Sequence, residues 1–387
     1  MGRRAPYPLG VINQSPLVPG YPLGTAAERT RGVVIDAIVL VGGQGTRLRP
    51  LTLSAPKPML PTAGVPFLTH LLSRLPGAGV DRVVLSTSYR AEVFADHFGA
   101  GERLGLEIEY VTEDVPLGTG GGIRNVADRL RSADVLVFNG DVLSGVDLQK
   151  LVATHRDGSA DVTLHLTRVE DPRAFGSVPT DDGGRVQAFL EKSPEPVTDQ
   201  VNAGCYVFRR EVLAGIPTGR PVSVERETFP GLLGDGATVL GYVDATYWLD
   251  IGTPANFVRG CADLVLGIAP SAALPGPAGQ ALVLPGAAVA ADAALTGGTT
   301  VGAGCEVGPG ARVDASVLFD GAVVEAGAAV TRSVVGRGAV VGPGSVLADV
   351  VLGDGAVLGA RNELVGGARV WPGVRLGDGA VRFSSDA

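Results

Sequence analysis

From Val301 onward, aliphatic residues recur after six, six and five positions: Val301, Val307, Val313; Leu318, Val324, Val330; Val335, Val341, Leu347; Leu352, Leu358, Leu364. All twelve positions are Val or Leu. A glycine sits three residues after each start (Gly304, Gly321, Gly338, Gly355), and Gly310, Gly327 and Gly344 mark a second corner. A helix repeats its apolar face every ~3.6 residues and a flat strand every two, so neither holds this register. Three short strands, three corners and one inward aliphatic per side describe a triangular prism of about seventeen residues per turn, a parallel β-helix. A hexad stretch at Val283, Val289 and Leu295 begins it, and residues 281–387 are assigned to it. A low-complexity Ala/Gly/Val tail would not keep twelve aliphatics in register.

The rest of the chain follows a different rule. Between Val33 and about Gly267, apolar strand-like runs alternate with helical stretches: Arg82 to Leu85, then Ala91 to Phe98; Glu107 to Val111, then Gly122 to Leu130; Asp134 to Phe138, then Leu148 to His155. Such alternation predicts a Rossmann-like α/β domain over 33–267, with a mostly parallel sheet and its ligands at the carboxyl ends of the strands. GIAPSAALPGPAGQ carries only small residues and proline, so 268–280 reads as a linker. Met1 to Arg31 hold five prolines and no apolar periodicity, so 1–32 is expected to be a loose tail.

Charge and cysteine usage exclude several roles. A net charge of −8 argues against a nucleic-acid surface, since the cations would have to be gathered in one place to hold a polyanion. Three distant cysteines (Cys205, Cys261, Cys305) suit neither a disulfide framework nor a zinc site, which fits a reducing cytoplasm. No run is long enough for a membrane span, and the first residues lack a secretory pattern. A soluble cytoplasmic protein is expected.

The chemistry concentrates after the first strand. The apolar run Val33 to Val41 stops at Gly42 and Gly43, where bare backbone N–H groups can face an anion. Thr46, Arg47 and Arg49 follow, and then Lys57 between Pro56 and Pro58, which together suit a triphosphate. The dinucleotide motif fails because Leu48 stands where its third glycine belongs, and no Walker Gly-Lys-Ser/Thr occurs. Asp141 in FNGDVL and Asp250 in YWLDIGTP are acids at the ends of apolar runs, where a cation would offset their burial. Two such carboxylates suit Mg²⁺, which completes its shell with water and phosphate oxygens. Either alone reads equally well as a turn or capping aspartate.

GGQGTRLRPLT followed by KPMLP resembles the opening of the sugar-nucleotide pyrophosphorylases, and the repeat resembles the left-handed hexapeptide β-helix often joined to them. The resemblance implies a nucleotide held by Leu40, Gly42, Gly43, Gly45, Thr46, Arg47, Gly118, Thr119 and Gly120, with PLGTGGGIRN along the nucleoside. It implies that Asp141 and Asp250 jointly hold the catalytic Mg²⁺. In FLEKSPEP it gives Lys192 the phosphate of a sugar 1-phosphate and Glu191 a sugar hydroxyl, with Ser193 where proline is more usual. Asn202 in VNAGCYVF and Gly176 in AFGSV lie against the sugar on the same reading.

Within that family, SVERETFP, NGDVL and YWLDIGTP are most similar to the mannose-1-phosphate guanylyltransferases. The implied reaction makes GDP-mannose and pyrophosphate from GTP and mannose 1-phosphate. Arg47, Lys57, Asp141 and Lys192 are the expected catalytic groups, acting by position and charge. The alternatives are a sister enzyme using glucose 1-phosphate with UTP, dTTP or ATP, or a regulatory homologue without turnover. An acyltransferase β-helix would need a histidine base, but His70, His97, His155 and His165 all precede the repeat. The repeat is therefore assigned to assembly or regulation, and a homo-oligomer of two or four chains is expected, with Trp371, Val374 and Leu376 beyond the last regular coil.

Overall fold

The first described strand, β1 (Ile35–Leu40), is apolar along most of its length because both of its faces are covered. It lies at the centre of a nine-stranded sheet in a computed structural model that describes residues 35–88 and 90–382. The expected tail over 1–32 lies outside the described residues. The other strands are β2 (Val80–Thr87), β3 (Glu107–Thr112), β4 (Asp134–Asn139), β6 (Val162–Arg168), β7 (Gly176–Ser177), β8 (Leu190–Glu191), β9 (Gln200–Arg209) and β10 (Val239–Val243). They run in the order β8-β7-β9-β4-β1-β2-β3, with β6 on β9 and β10 on β6. A separate pair joins β5 (Val142–Ser144) to β11 (Trp248–Asp250).

β4, β1, β2 and β3 are mutually parallel, while β9 runs antiparallel to β4. Alternate residues face opposite layers. Ile38, Val84, Val135 and Val137 pack with Ile123 and Phe229 on one side, and Val39, Leu85, Leu136 and Phe138 pack with Leu68, Phe94 and Leu151 on the other. Leu40 is level with both Ser86 and Asn139, so the loops after β1 and β4 leave the sheet side by side.

The covering helices are α1 (Phe67–Leu72), α2 (Glu92–Phe98), α3 (Gly118–Val126), α4 (Leu148–Asp157), α5 (Phe229–Gly234) and α6 (Pro254–Val265). α3 begins four residues before the helix read from the sequence, because the glycines are its first turns. No described helix is long and apolar enough to cross a membrane.

The C-terminal region is a parallel β-helix of three sheets with six, six and five strands. The twelve aliphatics in register are 0–4% exposed. Gly304, Gly310, Gly321, Gly327, Gly338, Gly344 and Gly355 take φ between +61° and +69°, which favours glycine at each corner. Inside, Thr299, Ser316 and Ser333 stack, each hydroxyl accepting from the backbone N–H one coil on, at 3.0–3.3 Å. This ladder satisfies polar groups that would otherwise be buried at a cost. The expectation that Trp371, Val374 and Leu376 lie beyond the last coil needs correction. Val370 pairs with Leu352 and Leu376 with Leu358, so a further coil exists, and the Gly366–Gly367 pair takes up its extra residue.

The two parts share a core. Leu48, Leu51 and Phe67 from the first domain, with Phe257, Cys261 and Leu264 of α6, pack with Val317, Phe319, Val334 and Val351 of the repeat. The segment 268–280 is tied down as well, His70 Nδ1 lying 2.6 Å from Ser271 Oγ.

Candidate active site

After β1 the chain turns through Gly42 and Gly43. Space around Gly43 is open, with no atom within 4 Å of where a Cβ would stand. Gly45 (φ +59°) caps the short helical turn Thr46–Leu48, and Thr52 Oγ1 donates to its carbonyl at 2.9 Å. Ser88 Oγ holds the Gly42 carbonyl at 2.6 Å. Leu48 is fully buried and anchors the turn, whereas the Arg47 side chain beside it is 66% exposed. A loop pinned at three points thus presents backbone N–H groups and one exposed cation, an arrangement suited to phosphate.

The structure brings Lys57, Asp141 and Asp250 together from three segments. Lys57 opens the short turn Lys57–Met59, and its side chain is only 7% exposed. Its Nζ donates to Asp141 Oδ2 at 2.7 Å and lies 3.5 Å from Asp250 Oδ1. Asp141 follows the β4 loop, and Asp250 ends β11. The motif around Asp250 is built locally: Thr253 caps α6 by accepting from Asn256 N–H, Pro254 occupies the first helical position, and Asn256 Nδ2 donates to the Asp250 carbonyl at 2.8 Å. Arg47 Nη2 lies 3.9 Å from Asp250 Oδ2 and crosses Gly252, where a side chain would collide with the guanidinium.

Burial pushes the Asp250 carboxyl above its usual range, and the negative charge of Asp141 adds to this; Lys57 and Arg47 offset part of it. Its buried Oδ1 lacks a well-formed hydrogen bond. An acid this placed gains from a further cation, so the pair fits Mg²⁺. Among the described residues no cluster of three or more His, Cys, Asp or Glu side chains is arranged for a metal. Water and phosphate oxygens would have to supply the remaining ligands.

Where the sequence leads one to expect the nucleoside, the glycines of α3 lie close to other parts of the chain. A Cβ at Gly118 or Gly120 would stand 2.6 Å or 3.2 Å from the Val222 carbonyl oxygen, and one at Gly122 would stand 2.8 Å from Glu113 Oε1. The close neighbour is the chain's own 220–222 segment, whose Val222 carbonyl accepts from Gly120 and Gly121 N–H at 2.8 and 3.2 Å. Thr119 Oγ1 donates to Glu225 Oε2 at 2.7 Å and accepts from Val224 N–H, so SVERETFP closes over the start of α3.

Lys192, expected to face the sugar phosphate, adopts φ +51°, uncommon for a residue with a side chain, and its N–H donates to the Phe175 carbonyl. Backbone of this kind costs about 1 kcal/mol or more and gathers at functional sites. Lys192 Nζ lies 3.5 Å from Glu191 Oε1, and Glu191 pairs with Gly176 across the β8–β7 ladder. Asn202 is already engaged at both ends, donating to Tyr206 Oη at 2.8 Å and accepting from Gly204 N–H at 3.0 Å.

Sequence reasoning passed over the aromatic wall between these groups. Phe175 meets Trp248 edge to face at 5.3 Å, and Trp248 Nε1 donates to the Ala203 carbonyl, linking the Lys192 loop to the strand that carries Asp250. Its trace in the sequence was the aromatic run before Asp250. His70, His155 and His165 are buried in internal hydrogen bonds, and His97 packs on Phe98.

Residues 36–265 match the family described as Nucleotidyl transferase, and 278–378 match the GMPPB C-terminal domain. The chain is 64% identical over 353 residues to a mannose-1-phosphate guanylyltransferase of Mycobacterium tuberculosis, covering 91% of this chain and 98% of that one. It is 39% identical over 246 residues to the mannose-1-phosphate guanylyltransferase catalytic subunit beta of Drosophila pseudoobscura pseudoobscura, covering 62% and 64% of the two chains. Among solved structures, HddC from Yersinia pseudotuberculosis complexed with GMP-PN aligns with a TM-score of 0.53 at 29% identity, over 60% of this chain and 100% of that one. With the Nucleotidyl transferase family matched over more than half of the chain and 64% identity along 91% of it, the chain belongs to the nucleotidyl transferases, in the group of the mannose-1-phosphate guanylyltransferases.

Proposed function

We propose that this enzyme makes GDP-mannose by direct in-line displacement, with Arg47, Lys57, Asp141, Lys192 and Asp250 as its working groups. A phosphate oxygen of mannose 1-phosphate attacks the α-phosphorus of GTP, the bond from that phosphorus to the bridging oxygen breaks, and pyrophosphate leaves. Arg47, exposed over Gly252, holds the departing phosphates beside the Gly42–Gly45 loop. Lys57 lies between the carboxylates at 2.7 and 3.5 Å, placed to move onto phosphate when the nucleotide arrives. Asp141 and Asp250 would hold Mg²⁺, which when bound would screen the phosphate charge. Among the described residues no histidine joins Lys57, Asp141 and Asp250, and this reaction needs no histidine base.

The observation that carries this reading is the convergence of Lys57, Asp141 and Asp250 beside the loop after β1. Pyrophosphate release measured with GTP, ATP, UTP and dTTP against mannose and glucose 1-phosphates tests it. GTP with mannose 1-phosphate is expected to exceed every other pair; preference for another pair would overturn the assignment. In the same assay Lys192→Ala is expected to raise the KM for mannose 1-phosphate about tenfold and leave that for GTP nearly unchanged. Equal losses for both substrates would remove Lys192 from the sugar phosphate.

Assembly belongs to the same proposal. The outward column of the second repeat sheet reads Glu306, Val323, Val340, Val357, Arg375. A two-fold axis through Val340 would set Glu306 against Arg375 of a second copy, with the valines between them, so this face is self-complementary. Light scattering is expected to give a dimer or tetramer, weakened about tenfold by Glu306→Arg and restored when Arg375→Glu is added. A monomeric wild type would end this reading. The three cysteines are buried and unpaired, which supports a reducing cytoplasm.

A further inference from the structure

The first repeat sheet carries its own outward column: Thr300, Val317, Val334, Val351 and then Arg369. The three valines are buried in the core shared with the catalytic domain. At the last position the column has moved past that core and reached the phosphate loop, and the aliphatic residue gives way to arginine. Arg369 Nη1 donates to two backbone carbonyls, Arg47 at 2.9 Å and Arg49 at 2.8 Å. Those carbonyls flank Leu48, whose side chain is fully buried in the same core. The segment is therefore fixed from below by Leu48 and from the repeat by Arg369, and the Arg47 side chain leaves it toward Asp250.

We infer that Arg369 is a positioning residue for nucleotidyl transfer: the last coils of the β-helix hold the Arg47–Arg49 backbone so that the Arg47 guanidinium is presented to the departing phosphates. The physical case is one of orientation. Both carbonyls lie at the exposed surface and would bond water if Arg369 were absent, so the contact adds little to stability. It does fix two peptide planes on either side of Leu48, and the direction in which the Arg47 side chain departs follows from them. A misplacement of about 1 Å in such a clamp costs up to about a hundredfold in rate. The repeat, which has no histidine and no acid–base group in the site, thus takes part in catalysis through geometry.

The inference rests on the reading of Arg47 as the group that holds the departing phosphates, so the test separates the two. Arg369→Ala, Arg369→Lys and Arg47→Ala are made in the full chain, with steady-state constants for each substrate and melting measured together. Arg369→Ala is expected to lower kcat/KM for GTP by roughly ten- to a hundredfold, with the KM for mannose 1-phosphate within about twofold and melting unchanged. Arg369→Lys, whose ammonium can also serve two carbonyls, is expected to recover most of the loss. Wild-type GTP constants in Arg369→Ala, equal losses for both substrates with lowered melting, or no recovery in the lysine variant would each overturn the inference. Normal GTP constants in Arg47→Ala would instead overturn the underlying reading of Arg47.

Discussion

Replacing Asp141 by asparagine is expected to lower turnover by about 10²- to 10³-fold, roughly 3 to 4 kcal/mol of barrier, while the fold persists. Asp141 is half-exposed and its carboxylate accepts from Lys57, so the change removes a charge from the site and little packing. Near-normal activity at saturating Mg²⁺ would sink the assignment. Asp250→Asn is expected to be as damaging to turnover and to act on stability with the opposite sign. The folded protein holds the Asp250 proton more tightly than the unfolded chain does, because burial and Asp141 disfavour the ionised carboxylate. As pH rises through the window just above the ordinary carboxylate range, the folded state is therefore penalised, and the penalty stays in place at neutral pH. Without substrates or Mg²⁺, Asp250→Asn should melt at or above the wild type near pH 8. The two should converge below about pH 4, where the acid is protonated in both states. A variant that melts well below the wild type near pH 8 would show that the ion pair with Lys57 outweighs the burial of the charge.

Removing the repeat after Gly267 is expected to cost more than any single substitution in the site. α6 buries Phe257, Val258, Cys261, Leu264 and Val265 in a core completed by Val317, Phe319, Val334 and Val351. Phe257 and Phe319 meet edge to face at 6.3 Å. A Cβ at Gly298 would stand 2.6 Å from the Ala262 carbonyl oxygen, so helix and repeat touch backbone to backbone. Each large side chain returned to water costs about 1.5–3 kcal/mol, and several together approach the ~5–15 kcal/mol that holds a domain folded. The truncated chain should melt more than about 10 °C lower or fail to accumulate in soluble form. Unchanged melting would mean that the two parts are independent, contrary to the shared core.

These two results separate what local sequence dictates from what only long-range packing creates. The β-helix was readable because every rule that builds it is local: an aliphatic each five or six residues, a glycine where φ must be near +65°, and pairing with the residue one coil away. The central sheet was readable because runs such as DVLVF suit a strand buried on both faces. The motifs after β1, β4 and β11 were readable as loops at strand ends, and with them the kind of chemistry they carry. That the first glycines of α3 lie against Val222 was not readable, because that residue is about a hundred positions away and nothing in their spacing points to it.

The same limit explains the rest. The sequence by itself determined two architectures and the set of charged side chains available to the site. Only the tertiary structure decided that Lys57 lies between Asp141 and Asp250, 84 residues from the first of them, and that Arg369 reaches back 322 residues to the loop that carries Arg47. Charge pairs and hydrogen bonds of this kind leave no periodic signal in the chain. They depend on where two folded surfaces dock, and the buried valines and phenylalanines of the shared core set that docking.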